Sequence, residues 1–234
     1  MVEENPRSQA KESIMKMKTA TVIGSQGCYP IGKILCIGRN YVDHVLELGN
    51  EMPERPIIFM KPASSVIGEG EEVVIPAYSS ECHHEAELAL LIGSGGKDIS
   101  AGDALQHLAG FGVAIDLTLR DVQAEQKRKG LPWEIAKGFD TACPLSAFVP
   151  ADSIPDPQNL RIMLSVNGEP RQDGSTALMI HRIPELISYL SSIFTLLPGD
   201  LILTGTPAGV GPVRSGDRVV AEISGVGRLS VTVR

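Results

Sequence analysis

The hydrophobic and polar positions of this chain fall into short runs, a pattern typical of a protein built mainly from strands. From Ile34 onward, runs rich in β-branched residues and leucine are broken by Gly, Pro, Asn and Asp, and such runs predict strands. Turn residues stand between them, for example at Asn167-Gly168 and at Pro198-Gly199-Asp200. The predicted strands cover residues 34–38, 56–62, 71–76, 84–93, 110–118, 160–168, 200–205, 217–223 and 227–234.

Three stretches have helical spacing instead. We predict helices over residues 101–107, over residues 119–129 with Gly130 closing the helix, and over residues 184–194. Pro184 suits the first turn of the third helix. Apolar residues repeat at helical intervals behind it, at Leu186, Ile187, Leu190 and Ile193. The pattern therefore predicts an α+β fold that is mainly β, a sandwich or barrel whose mouth can hold a ligand.

Composition narrows the class of protein. The chain has 234 residues, 43% of them hydrophobic, which fits one domain over residues 19–234. Lys and Arg total 21 against 28 Asp and Glu, a net charge of −7, so we expect neither a nucleic-acid nor a membrane partner. Residues 1–18 alternate charges without an apolar run, and we expect a flexible tail rather than a secretory signal. Four scattered cysteines indicate reduced thiols in the cytoplasm.

Acidic residues occur where core residues are expected. In a strand, Glu85 and Glu87 would point to the same face, and Asp116 ends the apolar run GFGVAID. Buried carboxylates repel one another unless a proton or a cation lies between them. Three oxygen ligands suit Mg²⁺ or Mn²⁺. The alternative is that the glutamates form the solvent side of an amphipathic strand and that Asp116 is an acid at a helix N-terminus.

Other polar residues allow two interpretations each. Cys82, His83 and His84 could indicate zinc, but without a distant second pair of ligands we favour surface or supporting histidines. His44 and Glu47 are three residues apart in a predicted short helix, where Glu47 could hold the imidazole in one tautomer. The alternative is an exposed pair on a surface helix. Thr118 is a candidate N-cap.

Six segments resemble the fumarylacetoacetate hydrolase superfamily, most closely its short single-domain acylpyruvase and oxaloacetate decarboxylase branch. In chain order they are GRNYVDHVLELG, FMKP, HHEAELALLIG, IDLTLRDVQ, KGLPWEIAKGFD and LTGTPAGVGP. The resemblance covers about 200 residues, from Ile34 to the C-terminus. It implies a mixed β-sandwich roll, a homodimer, and a Mg²⁺ or Mn²⁺ ion held by Glu85, Glu87 and Asp116.

The resemblance also implies roles for further residues. His44 and Glu47 would be the water-activating dyad of a lid, and Lys137 the active-site lysine. Arg120 and Asp121 would lie behind the metal acids. Substrate contacts would come from Arg39, Gln123, Gly205 and Thr206.

The chemistry that the resemblance implies begins with a small 2-oxo acid chelating the ion. The expected reaction is hydrolysis of the C3–C4 bond of an acylpyruvate through a pyruvate enolate, whose charge the cation stabilises. The same site would suit an oxaloacetate decarboxylase or an oxaloacetate tautomerase. A metal-dependent protein that binds a 2-oxo acid without turnover is the alternative from another class.

Overall fold

The structure, a computed structural model, describes residues 17–25, 27–49 and 51–234. The predicted tail thus lies outside the described residues except for Met17 and Lys18. Strands dominate, as predicted. They are β1 (Thr19–Thr21), β2 (Cys28–Pro30), β3 (Ile34–Gly38), β4 (Ile57–Lys61), β5 (Val66–Ile67), β6 (Glu72–Val73), β7 (Cys82–His84), β8 (Ala86–Ile92), β9 (Leu108–Ile115), β10 (Thr118–Leu119), β11 (Cys143–Pro144), β12 (Val149–Pro150), β13 (Arg161–Val166), β14 (Glu169–Ser175), β15 (Leu201–Leu203), β16 (Gly211–Val213), β17 (Arg218–Ile223) and β18 (Gly227–Val233).

The α-helices of the described residues are α1 (Val42–Glu47), α2 (Arg120–Lys129), α3 (Glu134–Lys137) and α4 (Ile183–Ile193). Gly130 ends α2 with φ of 65°, a left-handed conformation that glycine adopts freely. The helix predicted over residues 101–107 is wrong, because the structure has a 3₁₀ turn at Ala104–His107. None of the helices in this described part is long and apolar enough to cross a membrane.

Two large sheets pack face to face. The six-stranded sheet has the order β12-β9-β8-β15-β3-β4, and the five-stranded sheet has the order β14-β13-β17-β18-β6. β13 contacts β8, while β17 and β18 contact β9, so the main apolar core lies between these sheets. β8 is buried on both faces, because a second core packs against its other side. The predicted mainly β, α+β sandwich is confirmed.

A small sheet lies beside the sandwich and positions the site. It has the order β10-β7-β16, and β7 immediately precedes the central strand β8 in the chain. The strand predicted over residues 84–93 is therefore wrong at its beginning, since the chain changes sheets at Glu85. The sequence pattern also missed β14, which pairs with β13 through the predicted Asn167-Gly168 turn. Its sequence EPRQDGS is polar and includes Pro170 and Gly174, which weaken any strand signal.

Candidate active site

Three carboxylates converge where the chain passes from β7 to β8 and where β9 ends. The Asp116 amide, just after β9, donates to the Glu85 carbonyl at 2.7 Å. Glu87 is the second residue of β8. One carboxylate oxygen of each acid lies within 4.8 Å of the others. Glu85, Glu87 and Asp116 are 4, 2 and 0% exposed, so the alternative of solvent-facing acids is wrong.

Lys137, at the end of α3, lies within this acid cluster. Its Nζ donates to Glu85 Oε2 at 2.8 Å, to Asp116 Oδ2 at 2.6 Å and to Thr118 Oγ1 at 2.6 Å. Burial alone would lower the pKa of Lys137, but the charges of Asp116 and Glu85 outweigh burial and raise this pKa. Lys137 is therefore an ammonium ion that holds two of the three acids.

Lys61 is a second buried lysine at the site, and the sequence analysis did not single it out. Its Nζ lies 2.8 Å from Asp116 Oδ1. It also donates to the carbonyls of Leu117 at 3.2 Å and Ala142 at 3.0 Å, and to the carbonyl of Lys137. Lys61 thus neutralises Asp116 and fixes the backbone that carries Lys137. Its only signal in the sequence is its place in the FMKP segment.

The two glutamates differ in charge state. Burial favours the neutral form of both, but at Glu85 the positive charges of Lys137 and Arg120 outweigh burial and hold its pKa well below the usual value. At Glu87, burial acts together with the negative charges of Asp116 and Glu85 and raises the pKa well above the usual value. Without an ion, burial and the neighbouring negative charges therefore favour the neutral form of Glu87.

The acid cluster fits a hard divalent cation. All three donors are carboxylate oxygens, which Mg²⁺ and Mn²⁺ prefer. A cation would also offset the negative charges of Asp116 and Glu85, which together with burial raise the pKa of Glu87. Among the residues that the structure describes, Glu85, Glu87 and Asp116 are the one group of His, Cys, Asp or Glu side chains that converges in this way.

The possible zinc ligands point to different partners. His83 Nε2 lies 3.0 Å from Glu81 Oε1, and His84 Nδ1 lies 3.2 Å from Gln172 Oε1. Burial raises the pKa of Cys82 to about 12, so this thiol is protonated at neutral pH and is a poor ligand. The structure supports the interpretation of these histidines as supporting side chains.

His44 and Glu47 contact each other on α1. His44 Nδ1 lies 3.3 Å from Glu47 Oε2, while Glu47 Oε1 accepts a hydrogen bond from the Gly209 amide at 3.0 Å. His44 is 5% exposed, so the alternative of an exposed surface pair is wrong for the imidazole. Gly209 has φ of 95°, and a Cβ there would lie 2.1 Å from the Arg171 carbonyl oxygen. Only glycine can therefore bring this amide to Glu47.

Gly205 and Thr206 follow β15 and contact the acid strand. The Gly205 amide donates to Glu87 Oε2 at 2.7 Å. The Thr206 hydroxyl donates to the Ala86 carbonyl at 2.8 Å and accepts from Gln172 Nε2 at 2.7 Å. Because this hydroxyl has already used its one proton, a substrate carboxylate would have to meet the Thr206 backbone amide rather than the hydroxyl.

Gln172, on β14, is a second residue that the sequence analysis missed. Its Oε1 accepts from the Ala86 amide at 3.0 Å and from the His84 ring. Its Nε2 donates to Thr206 and to the Pro207 carbonyl at 2.9 Å. All four hydrogen-bonding positions of the amide are used. Where the chain changes sheets, the Gln172 side chain therefore makes the hydrogen bonds that a neighbouring strand would make. It also connects this segment to the loop after β15.

Helix α2 begins with two polar side chains at the site. Arg120 Nη2 donates to Glu85 Oε1, and Arg120 Nη1 donates to Gln123 Oε1 at 2.9 Å. Arg120 thus binds one oxygen of the Glu85 carboxylate, and Lys137 binds the other. Gln123 is buried and lines the cavity.

Two neighbours of Arg120 serve other contacts. Asp121 accepts hydrogen bonds from Ser79 Oγ at 2.6 Å and from the Ser80 amide at 2.8 Å. It is absent from the described residues that line the cavity. Thr118 is wrong as the predicted N-cap, because Leu119 holds that position without a side-chain cap and the Thr118 hydroxyl binds Lys137 instead.

A cavity open to solvent lies above the acid cluster, with about 410 Å³ of empty space when the part shared with solvent is included. Of the predicted site residues, all line it except Glu47, Gly205 and Asp121. Its walls are formed by Ile37, Gly38, Arg39, His44, Leu48, Phe59, Glu85, Glu87, Asp116, Arg120, Gln123, Lys127, Trp133, Lys137 and Thr206. The base of this cavity is acidic, and the remaining charged groups around it are basic.

Comparison with known proteins identifies the family. Residues 33–234 match the family described as fumarylacetoacetate (FAA) hydrolase C-terminal. This match spans most of the chain and includes every predicted site residue. The chain therefore belongs to the fumarylacetoacetate hydrolase family, as the six sequence segments predicted.

Individual relatives are similar over most of their length. The chain is 51% identical over 193 residues to the mitochondrial oxaloacetate tautomerase FAHD1 of Bos taurus, covering 82% of this chain and 87% of the relative. It is 49% identical over 198 residues to the oxaloacetate tautomerase YcgM of Escherichia coli K12, covering 84 and 90%. A crystal structure of fumarylpyruvate hydrolase from Pseudomonas aeruginosa, with Mn²⁺ and pyruvate, has 40% identity and a TM-score of 0.89, covering 92 and 95%.

Proposed function

We propose that this protein is an oxaloacetate tautomerase that uses Mg²⁺ or Mn²⁺. The observation that carries the proposal is identity of about one half, over more than four fifths of the chain, to proteins named oxaloacetate tautomerase in a mammal and a bacterium. The acid cluster at the base of a small cavity supports it. This reaction was an alternative in the sequence analysis, and it now takes precedence over acylpyruvate hydrolysis.

Tautomerisation moves protons without breaking a bond between carbon atoms. From enol to keto form, one proton leaves the C2 hydroxyl and one arrives at C3. A cation held by Glu85, Glu87 and Asp116 would stabilise negative charge on the C2 oxygen as a Lewis acid. Lys137 adds a positive charge beside the same acids.

We assign the transfer of the proton at C3 to His44. Glu47 Oε2, 3.3 Å from Nδ1, favours the tautomer with the proton on Nδ1. The Nε2 atom of His44, which lines the cavity, then accepts the C3 proton in the keto-to-enol direction. In the enol-to-keto direction it accepts the proton of the C2 hydroxyl and delivers it to C3. A side chain positioned for general acid–base catalysis of this kind contributes about 10²- to 10⁴-fold to the rate.

Hydrolysis of an acylpyruvate is the second candidate. The similarity to a fumarylpyruvate hydrolase structure favours it, and the same His44–Glu47 pair could take a proton from water instead of from C3. Loss of the C4 carboxylate of oxaloacetate as carbon dioxide would need the same cation and no base.

The test is turnover of enol oxaloacetate, keto oxaloacetate and acetylpyruvate, with Mg²⁺ or Mn²⁺ and with EDTA. We expect fast loss of enol absorbance, its abolition by EDTA, and slow turnover of acetylpyruvate. His44→Asn should lower the tautomerisation rate about 100-fold or more. The control is His107→Asn, because His107 contacts the Ser94 carbonyl outside the cavity.

Other outcomes would overturn the proposal in favour of a stated alternative. Faster cleavage of acetylpyruvate would make the protein a hydrolase, and pyruvate formed from oxaloacetate would make it a decarboxylase. Binding of oxalate without turnover of any substrate would make it a binding protein. The homodimer and the cytoplasmic location stay predictions, which light scattering and cell fractionation would test.

A further inference from the structure

Of the four Lys and Arg side chains that line the cavity, two have no acidic partner among the described residues. Lys137 and Arg120 are paired with acids of the metal cluster. Arg39 and Lys127 also line the cavity, but within the described parts of the chain neither forms an ion pair. Unpaired cations at a cavity wall attract an anionic ligand, because its binding relieves their mutual repulsion.

Lys127 lies in the last turn of α2, at the mouth of the cavity. Its Nζ is 5.5 Å from the centroid of the Trp133 ring, which also lines the cavity, so the aromatic face fixes the direction of the ammonium group. Partial burial, followed by the positive charges of Arg39, Arg120 and Lys137, lowers the pKa of Lys127. The charge of Glu85 opposes these three cations but does not outweigh them together with burial.

Arg39 follows β3 and has φ of 59°, which is uncommon for a residue other than glycine. Its best hydrogen bond is from Nη1 to the Glu51 carbonyl at 3.5 Å. Its Nε atom is buried without a partner among the described residues. A buried donor without an acceptor is costly, so this guanidinium group has the capacity to bind a carboxylate.

The position of these cations decides which substrates fit. The following step depends on the proposed function, which directs the C1 carboxylate and the 2-oxo group of the substrate toward the acid cluster. The far end of the molecule then extends toward the mouth. We propose that Arg39 and Lys127 form a subsite for a second carboxylate, which makes the cavity selective for 2-oxo acids that are dicarboxylates.

The charge distribution of the chain supports this subsite. The whole chain carries a net charge of −7, yet the cavity wall above the acid cluster is basic. Basic groups at the wall of a cleft attract anionic ligands even where the net charge of the protein is negative. A dianion gains from both ends of such a cavity, whereas a monoanion of equal length gains from the metal end alone.

The test compares two ligands of equal length. Oxaloacetate has a carboxylate at C4, and 2-oxobutanoate has a methyl group there. Their dissociation constants would be measured by calorimetry with Mg²⁺, for the natural protein and for Lys127→Met, which removes the charge and keeps most of the length of the apolar side chain. We expect the natural protein to prefer oxaloacetate, and Lys127→Met to weaken oxaloacetate binding about 10-fold or more without changing that of 2-oxobutanoate.

Two further variants separate charge from structure. Lys127→Arg should restore the preference, because it keeps the positive charge. Lys129→Met on the same helix removes an exposed lysine that pairs with Glu125 and should change neither constant. Arg39→Gln should reduce the preference as Lys127→Met does. Equal weakening of both ligands in Lys127→Met would show a structural role and overturn the subsite.

The subsite and the proposed function can fail separately. If the natural protein binds the two ligands equally, the subsite is wrong even when tautomerisation is fast. If it prefers oxaloacetate and loses this preference in Lys127→Met, the subsite stands even when no tautomerisation occurs.

Discussion

The base and the mouth of the cavity differ in whether their charged side chains are paired. At the base, Glu85 and Asp116 are paired with Lys61 and Lys137, and all four side chains are buried. At the mouth, Arg39 and Lys127 have no acidic partner among the described residues. Sheets and short hydrogen bonds hold the base, whereas a helix end and a loop carry the mouth.

This difference separates two tasks. A reacting group needs a fixed geometry, and a buried, paired charge network on strands provides it. Selection of a ligand needs charges that are still free to pair, and loops at the surface carry such charges. Mutations at the base should therefore change stability and cation binding, and mutations at the mouth should change rate or ligand choice.

The largest effect should come from the two glutamates of the base. Glu85→Ala leaves Arg120 without its carboxylate and Lys137 with Asp116 alone, and it should cost about 3 kcal/mol in unfolding free energy with EDTA present. Glu87→Gln removes an acid whose neutral form is already favoured and keeps an oxygen for the Gly205 amide, so stability should change by less than about 1 kcal/mol. Both variants should lose Mn²⁺ binding, measured by electron paramagnetic resonance.

Urea unfolding of the two variants provides the check. If Glu87→Gln proves the less stable protein, the assignment of a favoured neutral form to Glu87 is wrong. If both variants keep full Mn²⁺ binding, the acids serve the fold rather than a cation.

A smaller effect, on rate alone, should follow from Glu47→Gln at the mouth. The amide oxygen must face the Gly209 amide, so the NH₂ group faces His44 Nδ1. The ring proton then moves to Nε2, which can no longer accept a proton. Turnover should fall about 100-fold with little change in KM. Asp43→Asn, on the exposed face of the same helix, is the matched control, and equal turnover in all three proteins would remove His44 from the mechanism.

The smallest effect concerns the thiols, which report whether water reaches the base. Burial raises the pKa of Cys82 and of Cys143 to about 12, and it raises the pKa of Cys36 well above the usual value. A raised pKa means less thiolate, roughly one part in 10⁴ at pH 8 for a pKa near 12. Iodoacetamide at pH 8 should therefore label exposed Cys28 and leave the other three unmodified. Fast labelling of Cys82 in the native protein would mean that water enters the base.

Residues whose roles depend on local pattern could be predicted from the sequence. The acids stand out in apolar runs, β3 has the predicted bounds, and Gly130 ends its helix as predicted. Lys61 could not be found in this way, because its partners Leu117 and Ala142 are 56 and 81 residues away. The change of sheet at Glu85 depends on Gln172, which lies in a polar edge strand without periodicity.

Glu47 divides its two oxygens between the imidazole of His44 and the amide of Gly209. A ligand too bulky for α1 to rest on the loop would break the contact with Gly209, and the carboxylate would rotate freely. The imidazole would lose its fixed orientation at the same moment. Under the proposed mechanism, an acyl chain large enough to displace α1 would therefore be rejected by slow turnover rather than by weak binding.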